Sequence, residues 1–104
     1  MASTRERLPN RHAHEAVRFR FDNVDYTATL ARFHDGRPAE LFVSAGLKHG
    51  SDLQHQLDTA CIITSIAFQY GISVAVLRSA LKAGALYQAL VFFEGGPIKA
   101  VTRT

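Results

Sequence analysis

The chain has 104 residues, of which 47% are hydrophobic and 20% charged, with a formal net charge of +3. This composition excludes the low hydrophobicity of a disordered chain and predicts one globular domain. The longest apolar stretch, residues 60–67, is too short to span a bilayer, and the N-terminus lacks the apolar segment of a secretory signal. The single cysteine excludes an intrachain disulfide. We therefore expect a cytoplasmic protein.

The first half of the chain predicts a basic arm over residues 1–13 and then an antiparallel meander of three strands. Apolar and charged residues alternate from Glu15 onward, which is typical of a half-buried strand. Turn residues then lead to strands that begin near Tyr26 and Glu40. The second turn contains the pair Asp35-Gly36, which favours a type I′ connection.

The register of this meander divides its side chains between two faces. We expect Phe21 to pair with Tyr26, and His34 to pair with Arg37. One face then carries the apolar residues and forms the core: Val17, Phe19, Phe21, Tyr26, Ala28, Leu30, Leu41 and Val43. The opposite face is mainly polar and meets solvent or a ligand: Arg18, Arg20, Thr27, Thr29, Glu40 and Phe42.

The second half of the chain predicts helices. Ser51, with Gln54 three residues later, fits a capping box that opens a helix reaching to about Tyr70. The second half of this helix is apolar nearly all round, so we expect it to be deeply buried or covered by another subunit. Gly71 suits a left-handed helix end and Ser73 caps a second helix over residues 74–82.

The predicted fold class is therefore α+β, a three-stranded antiparallel meander followed by an αα-hairpin packed on one sheet face. Residues 86–93 form a short helix or a strand, because a short apolar run does not distinguish the two, and we favour a helix. The domain covers residues 14–95, and residues 96–104 form a tail.

No pattern in the chain indicates a catalytic residue, a metal site or a cofactor. The five histidines lack the helical spacing of metal ligands. Cys61 lies in the apolar helix, where burial raises the pKa of a thiol and does not activate it. A small enzyme would need a pocket around Asp58, Ser65 and His49, but Asp58 in solvent and Ser65 bonded to a helix carbonyl is an equal interpretation.

The arginines give the best indication of a binding function, because a guanidinium binds phosphate through two parallel hydrogen bonds. A loop that leads into a helix N-terminus can also hold an anion. The predicted anion or nucleotide site consists of Arg5, Arg7, Arg11, Arg18, Arg20, Lys48 and Ser51. The alternative is a solvated face neutralised by Glu6, Glu15 and Glu40.

Six segments occur in an order that resembles the TSCPD domain, which is found at the C-terminus of some cobalamin-dependent ribonucleotide reductases and as short stand-alone proteins. These segments are residues 5–11 (RERLPNR), 26–29 (YTAT), 33–42 (FHDGRPAELF), 48–51 (KHGS), Asp58 with Ser65, and 69–71 (QYG). The resemblance implies an association with deoxyribonucleotide synthesis. It does not imply reductase activity, because the chain lacks the catalytic cysteines and the radical-generating domain.

The sequence therefore predicts a non-catalytic accessory or regulatory module that binds a ribonucleotide reductase, a nucleotide or a nucleic acid through its basic arm. Two alternatives stay open: the small enzyme described above, and a self-assembling structural protein or homo-oligomer. Self-assembly is suggested by the apolar second half of the long helix and by Phe42.

Overall fold

A computed structural model of the chain describes residues 4–9, 13–46 and 51–94. The elements in these ranges are β1 (Ala13–Phe21), β2 (Val24–Arg32), β3 (Pro38–Ala45), α1 (Asp52–Gln69), α2 (Val74–Leu81) and α3 (Ala85–Glu94). The strands form one antiparallel sheet in the order β1-β2-β3. The predicted α+β class is confirmed, and residues 86–93, for which the sequence allowed a helix or a strand, lie in α3. The predicted packing of an αα-hairpin on the sheet holds only in part, because α1 and α3 pack on the strands and α2 packs mainly on α3. The predicted tail lies outside the described residues.

Both hairpin turns differ from the predicted ones. Asp22 and Asn23 join β1 to β2 with positive φ angles of 52° and 64°, so this two-residue connection is the type I′ turn. In the second turn only Gly36 has a positive φ, 91°, and its N–H donates to the Phe33 carbonyl at 2.9 Å. That connection is a type I turn followed by a left-handed glycine, and the prediction of a type I′ turn there is wrong.

The tight first turn also changes the predicted register between β1 and β2. Phe21 pairs with Val24, and Tyr26 pairs with Phe19. The error amounts to two residues, and because side chains alternate with a period of two, each residue keeps its predicted face. Between β2 and β3 the predicted register is confirmed as far as Ala31, after which the pairing shifts.

The apolar face of the sheet and the three helices share one core. The sheet residues predicted for this face are buried, except that Phe21 is only half-buried. The helices add Leu57, Cys61, Phe68, Val74, Ala89, Leu90 and Phe93. Helix α1 packs along β3, while α3 packs on β1 and β2. Burial of each Leu or Phe side chain contributes roughly 1.5–3 kcal/mol, so this shared core holds helices and sheet together.

Helix α1 also covers the free edge of β3 with polar side chains. The Ser65 hydroxyl accepts from the Leu41 N–H at 2.9 Å and donates to the Leu41 carbonyl at 3.3 Å. Two glutamines make further bonds to β3: Gln54 with Ala45 and Val43, and Gln69 with Ala39. An uncovered strand edge is a template for aggregation, and these bonds satisfy five of its backbone groups.

The ends of α1 agree with the predicted capping, with one exception. The Ser51 hydroxyl accepts from the Gln54 N–H at 3.1 Å, whereas the Gln54 side chain bonds to β3 and does not complete the capping box. At the other end Gly71 has a φ of 98°, and the Ile72 N–H reaches back to the Ala67 carbonyl at 3.1 Å. This is the Schellman arrangement, which only a residue tolerant of positive φ closes easily.

The prediction that the second half of α1 is deeply buried within the chain is wrong for two of its residues. Ile62 is 59% exposed and Ile63 is 64% exposed. One side of the helix faces β3 and the core, and these two isoleucines lie outside that contact. Their coverage by another subunit stays a prediction.

Candidate anion-binding site

A cavity of about 280 Å³, lined by polar and apolar atoms in about equal measure, lies beside the outer face of the sheet, near the start of β2 and the end of β3. It is lined by Arg18, Phe19, Asp25, Tyr26, Thr27, Ser44, Ala45 and Gly46. The Gly46 N–H donates to the Asp25 carbonyl at 2.8 Å, which holds the end of β3 against the start of β2. The cavity is thus built on paired backbone and is not formed by a loop alone.

Three of the lining side chains form one row across the sheet. Arg18 pairs with Thr27, and Thr27 pairs with Ser44. We call these three residues the Arg18 row. Neighbouring side chains in such a row have Cβ atoms about 4.5–5.5 Å apart, so one guanidinium and two hydroxyls can reach the same small ligand. These groups together can donate several hydrogen bonds to an oxyanion.

The charges around the cavity favour an anion. Arg18 is exposed and makes no hydrogen bond or ion pair within the part of the chain that the structure describes. Asp25, the carboxylate in the lining, is held by the Arg20 guanidinium at 2.9 Å. Because Arg20 neutralises Asp25, the positive charge of Arg18 is left available to a ligand.

The basic arm is docked at the other end of β3. The Glu6 N–H donates to the Gln69 carbonyl at 2.8 Å, and Arg5 Nε donates to the Gln69 side chain. Gln69 bonds in turn to Ala39, whereas Ser44 lies five residues further along the strand, or about 17 Å at the usual rise. The described part of the arm, residues 4–9, and the Arg18 row are therefore two separate surfaces.

Arg37 ties the arm to the second turn. Its guanidinium donates to Glu6 at 2.8 Å and to Asp35 at 2.6 Å, and it lies 4.8 Å from the centre of the Phe33 ring. The side-chain hydrogen bond from Arg37 holds the pKa of Asp35 below its usual range. Of the predicted arm arginines, Arg7 is exposed, and Arg11 lies outside the described residues.

The other predicted site residues are engaged within the fold or lie outside the described ranges. Asp58 accepts a hydrogen bond from Gln54 at 2.7 Å on the surface, and Ser65 is buried against Leu41. The Ser51 hydroxyl caps α1. Lys48 and His49 lie outside the described residues.

The thiol has no features of a nucleophile. Burial raises the pKa of Cys61 to about 11, and the neighbouring Asp58 carboxylate acts in the same direction. A thiol with this pKa is almost wholly protonated at neutral pH. Among the described residues, no cluster of three or more His, Cys, Asp or Glu side chains could hold a metal ion.

Two members of the Arg18 row were not predicted as site residues. Thr27 was placed on the polar face without a role, and Ser44 was assigned only to a strand. A two-residue turn at Asp22 and Asn23 is the sequence signal from which Thr27 could have been identified. The observed register pairs Arg18 with Thr27, whereas the register predicted from the sequence pairs Arg18 with Thr29.

Comparisons with protein-family models, with curated proteins and with solved structures find no match to this chain. Within the described ranges, no helix is both long and apolar enough to cross a membrane.

Proposed function

We propose that this chain is a non-catalytic accessory module that binds the phosphate group of a nucleotide or nucleic acid at the Arg18 row. The observation that carries this proposal is the exposed, unpaired guanidinium of Arg18 next to two hydroxyls in one cavity. A charge-assisted hydrogen bond to an oxyanion is about twice as strong as a neutral one. The row therefore has the chemistry of a phosphate site.

The described residues give no comparable support to catalysis. A nucleophilic mechanism with a serine or cysteine needs that nucleophile within hydrogen-bonding distance of a base, or a lowered thiol pKa. The Ser65 hydroxyl is occupied by the Leu41 backbone, and the Cys61 thiol is protonated. We therefore favour binding over the small-enzyme alternative.

The ordered motifs that resemble the TSCPD domain support a role beside a ribonucleotide reductase. In such a role the module would bind the nucleotide whose level the reductase controls, or the reductase itself. We place the site at the Arg18 row and not on the arm, because Arg18 is an unpaired cation among the described residues, next to two hydroxyl donors in one cavity.

The test is isothermal titration calorimetry, in which tripolyphosphate is added to the protein and the affinity is measured. Arg18→Gln removes a charged hydrogen-bond donor, worth roughly 1.5–3 kcal/mol, so we expect affinity to fall at least about tenfold. Arg7→Gln is the matched control, because Arg7 is an exposed arginine on the arm. Binding that persists in Arg18→Gln would refute the Arg18 row as the site, and binding that is lost in Arg7→Gln instead would place the anion on the arm.

Self-association is a second candidate, favoured by the exposed isoleucines of α1. Ile63 lines a mainly apolar groove of about 250 Å³ together with Leu77, Leu81 and Leu86 from the two following helices. Light scattering of the purified protein measures its mass. If the protein assembles through this groove, Ile63→Asp yields a monomer while Ser79→Asp, on an exposed part of α2, does not. A wild-type monomer at all concentrations would dismiss this candidate.

A further inference from the structure

A second row of side chains lies next to the Arg18 row on the outer face of the sheet. It consists of Ala16, Thr29 and Phe42, which pair across the three strands. Phe42 is 56% exposed, although a buried Phe would stabilise the fold by roughly 1.5–3 kcal/mol. The neighbouring side chains of Ala16 and Thr29 are small, so they cover little of the aromatic ring.

The row beyond Phe42 contains a carboxylate. Glu40 pairs with Ala31, and it makes no hydrogen bond or ion pair within the ranges that the structure describes. Ala31 is 4% exposed because neighbouring side chains cover it, whereas Glu40 itself is only half-buried. The carboxylate can therefore accept hydrogen bonds from a ligand lying on the face.

The three groups follow one another along β3 at a regular spacing. Glu40, Phe42 and Ser44 are alternate residues of this strand, so they share one face at intervals of about 7 Å. A carboxylate, an exposed ring and a hydroxyl backed by Arg18 thus stand in line. A nucleotide presents N–H groups on its base edge, the face of its base, and its phosphate in the same order.

We infer that the ligand of this face is a mononucleotide whose phosphate binds the Arg18 row, whose base stacks on Phe42 and whose base N–H groups donate to Glu40. This inference rests on the proposed phosphate site and adds the recognition of the base. Guanine suits Glu40 best, because it presents two neighbouring N–H groups to a carboxylate. A single exposed ring beside a single free arginine fits one nucleotide, whereas proteins that bind single strands use successive stacking side chains.

The experiment compares guanosine monophosphate with ribose 5-phosphate, which has the same phosphate and sugar but no base. Stacking of one base on an aromatic side chain is worth enough for about a tenfold change in affinity. We expect the wild-type protein to bind guanosine monophosphate at least about tenfold more tightly than ribose 5-phosphate. Phe42→Leu should reduce this difference by the stacking contribution and leave the affinity for ribose 5-phosphate unchanged.

One control variant and one further test variant separate recognition of the base from an effect on folding. Val91→Ala shortens another exposed apolar side chain, at 41% exposure on α3, and should leave both affinities unchanged. Glu40→Gln keeps the size of the side chain, and it should weaken binding of guanosine monophosphate alone. Far-ultraviolet circular dichroism of each variant reports whether the fold is intact.

The other outcomes each overturn a defined part of the argument. Equal affinity of the wild-type protein for the two ligands would overturn base recognition and leave the phosphate site standing. Binding of neither ligand would overturn both. Much tighter binding of a single-stranded oligonucleotide than of guanosine monophosphate would replace the mononucleotide by a nucleic acid.

Discussion

The hydroxyl of Ser65 offers the sharpest test of how α1 and β3 are joined. Substitution Ser65→Ala removes the bond from the Leu41 N–H, at 2.9 Å, and the bond to the Leu41 carbonyl, at 3.3 Å. Leu41 is 0% exposed and Ser65 is 8% exposed, so water does not easily replace the lost hydroxyl. Both backbone groups of Leu41 are then left without a partner.

The expected loss of stability follows from these two groups. An unsatisfied buried donor or acceptor costs about 1–3 kcal/mol, and the better helix propensity of alanine returns up to about 0.7 kcal/mol. We expect the free energy of unfolding to fall by about 2–4 kcal/mol, which for a domain of this size lowers Tm by roughly 10–20 °C.

Urea unfolding followed by circular dichroism measures this loss, with Ser79→Ala as the matched control. Ser79 is exposed on α2 and donates only to the Val76 carbonyl of its own helix, at 2.9 Å. Its removal should change the free energy of unfolding by less than about 0.5 kcal/mol. If Ser65→Ala were as stable as Ser79→Ala, the edge of β3 would be satisfied by other means and the assigned role of α1 would be wrong.

Three further predictions concern stability. The pKa of Cys61 is raised to about 11, so the folded state favours the neutral thiol; its contribution is complete below about pH 8.5 and is lost as the pH rises towards 11. Urea titrations at pH 8 and pH 10.5 should therefore show a larger decline for the wild-type protein than for Cys61→Ala, and equal declines would contradict the raised pKa. Gly71 has a φ of 98°, and Gly71→Ala should cost about 1–2 kcal/mol, measured as a lower Tm; an unchanged Tm would show that the turn adapts. Arg32 and Glu15 form an ion pair at 2.9 Å with both side chains 10% exposed, so Arg32→Met alone should lower the free energy of unfolding by about 3–5 kcal/mol. The double variant Arg32→Met, Glu15→Gln should lose less, which a double-mutant cycle in urea would measure. Additive losses would argue against the coupling of the two side chains.

Local sequence signals were sufficient for most of the secondary structure. The alternation around Val17 and Phe19 predicts a strand and assigns its faces, because a period of two belongs to no other regular structure. Ser51, Gly71 and Ser73 mark helix ends through hydrogen bonds or backbone angles that depend on a few neighbouring residues. These predictions are confirmed.

Contacts between distant segments were much harder to predict. Ser65 was weighed as a pocket residue or as bonded to its own helix, and it bonds instead to Leu41, 24 residues away. The polar side chains of α1 showed no sequence sign of a strand edge beside them, since a helix pattern records which side is apolar and not what the polar side meets.

The candidate site shows the same division. The sequence by itself determined that Arg18, Thr27 and Phe42 lie on one polar face, since strand alternation sets the face of every residue. The structure was needed to place Thr27 and Ser44 beside Arg18, because alternation fixes the face of a residue and not its partner, and the turn at Asp22 and Asn23 sets a β1–β2 pairing two positions from the predicted one. It also placed the described part of the arm at the far end of β3, through a backbone hydrogen bond between Glu6 and Gln69, which are 63 positions apart. Faces follow from neighbours along the chain, whereas rows and distances between surfaces depend on how turns and helices bring remote residues together.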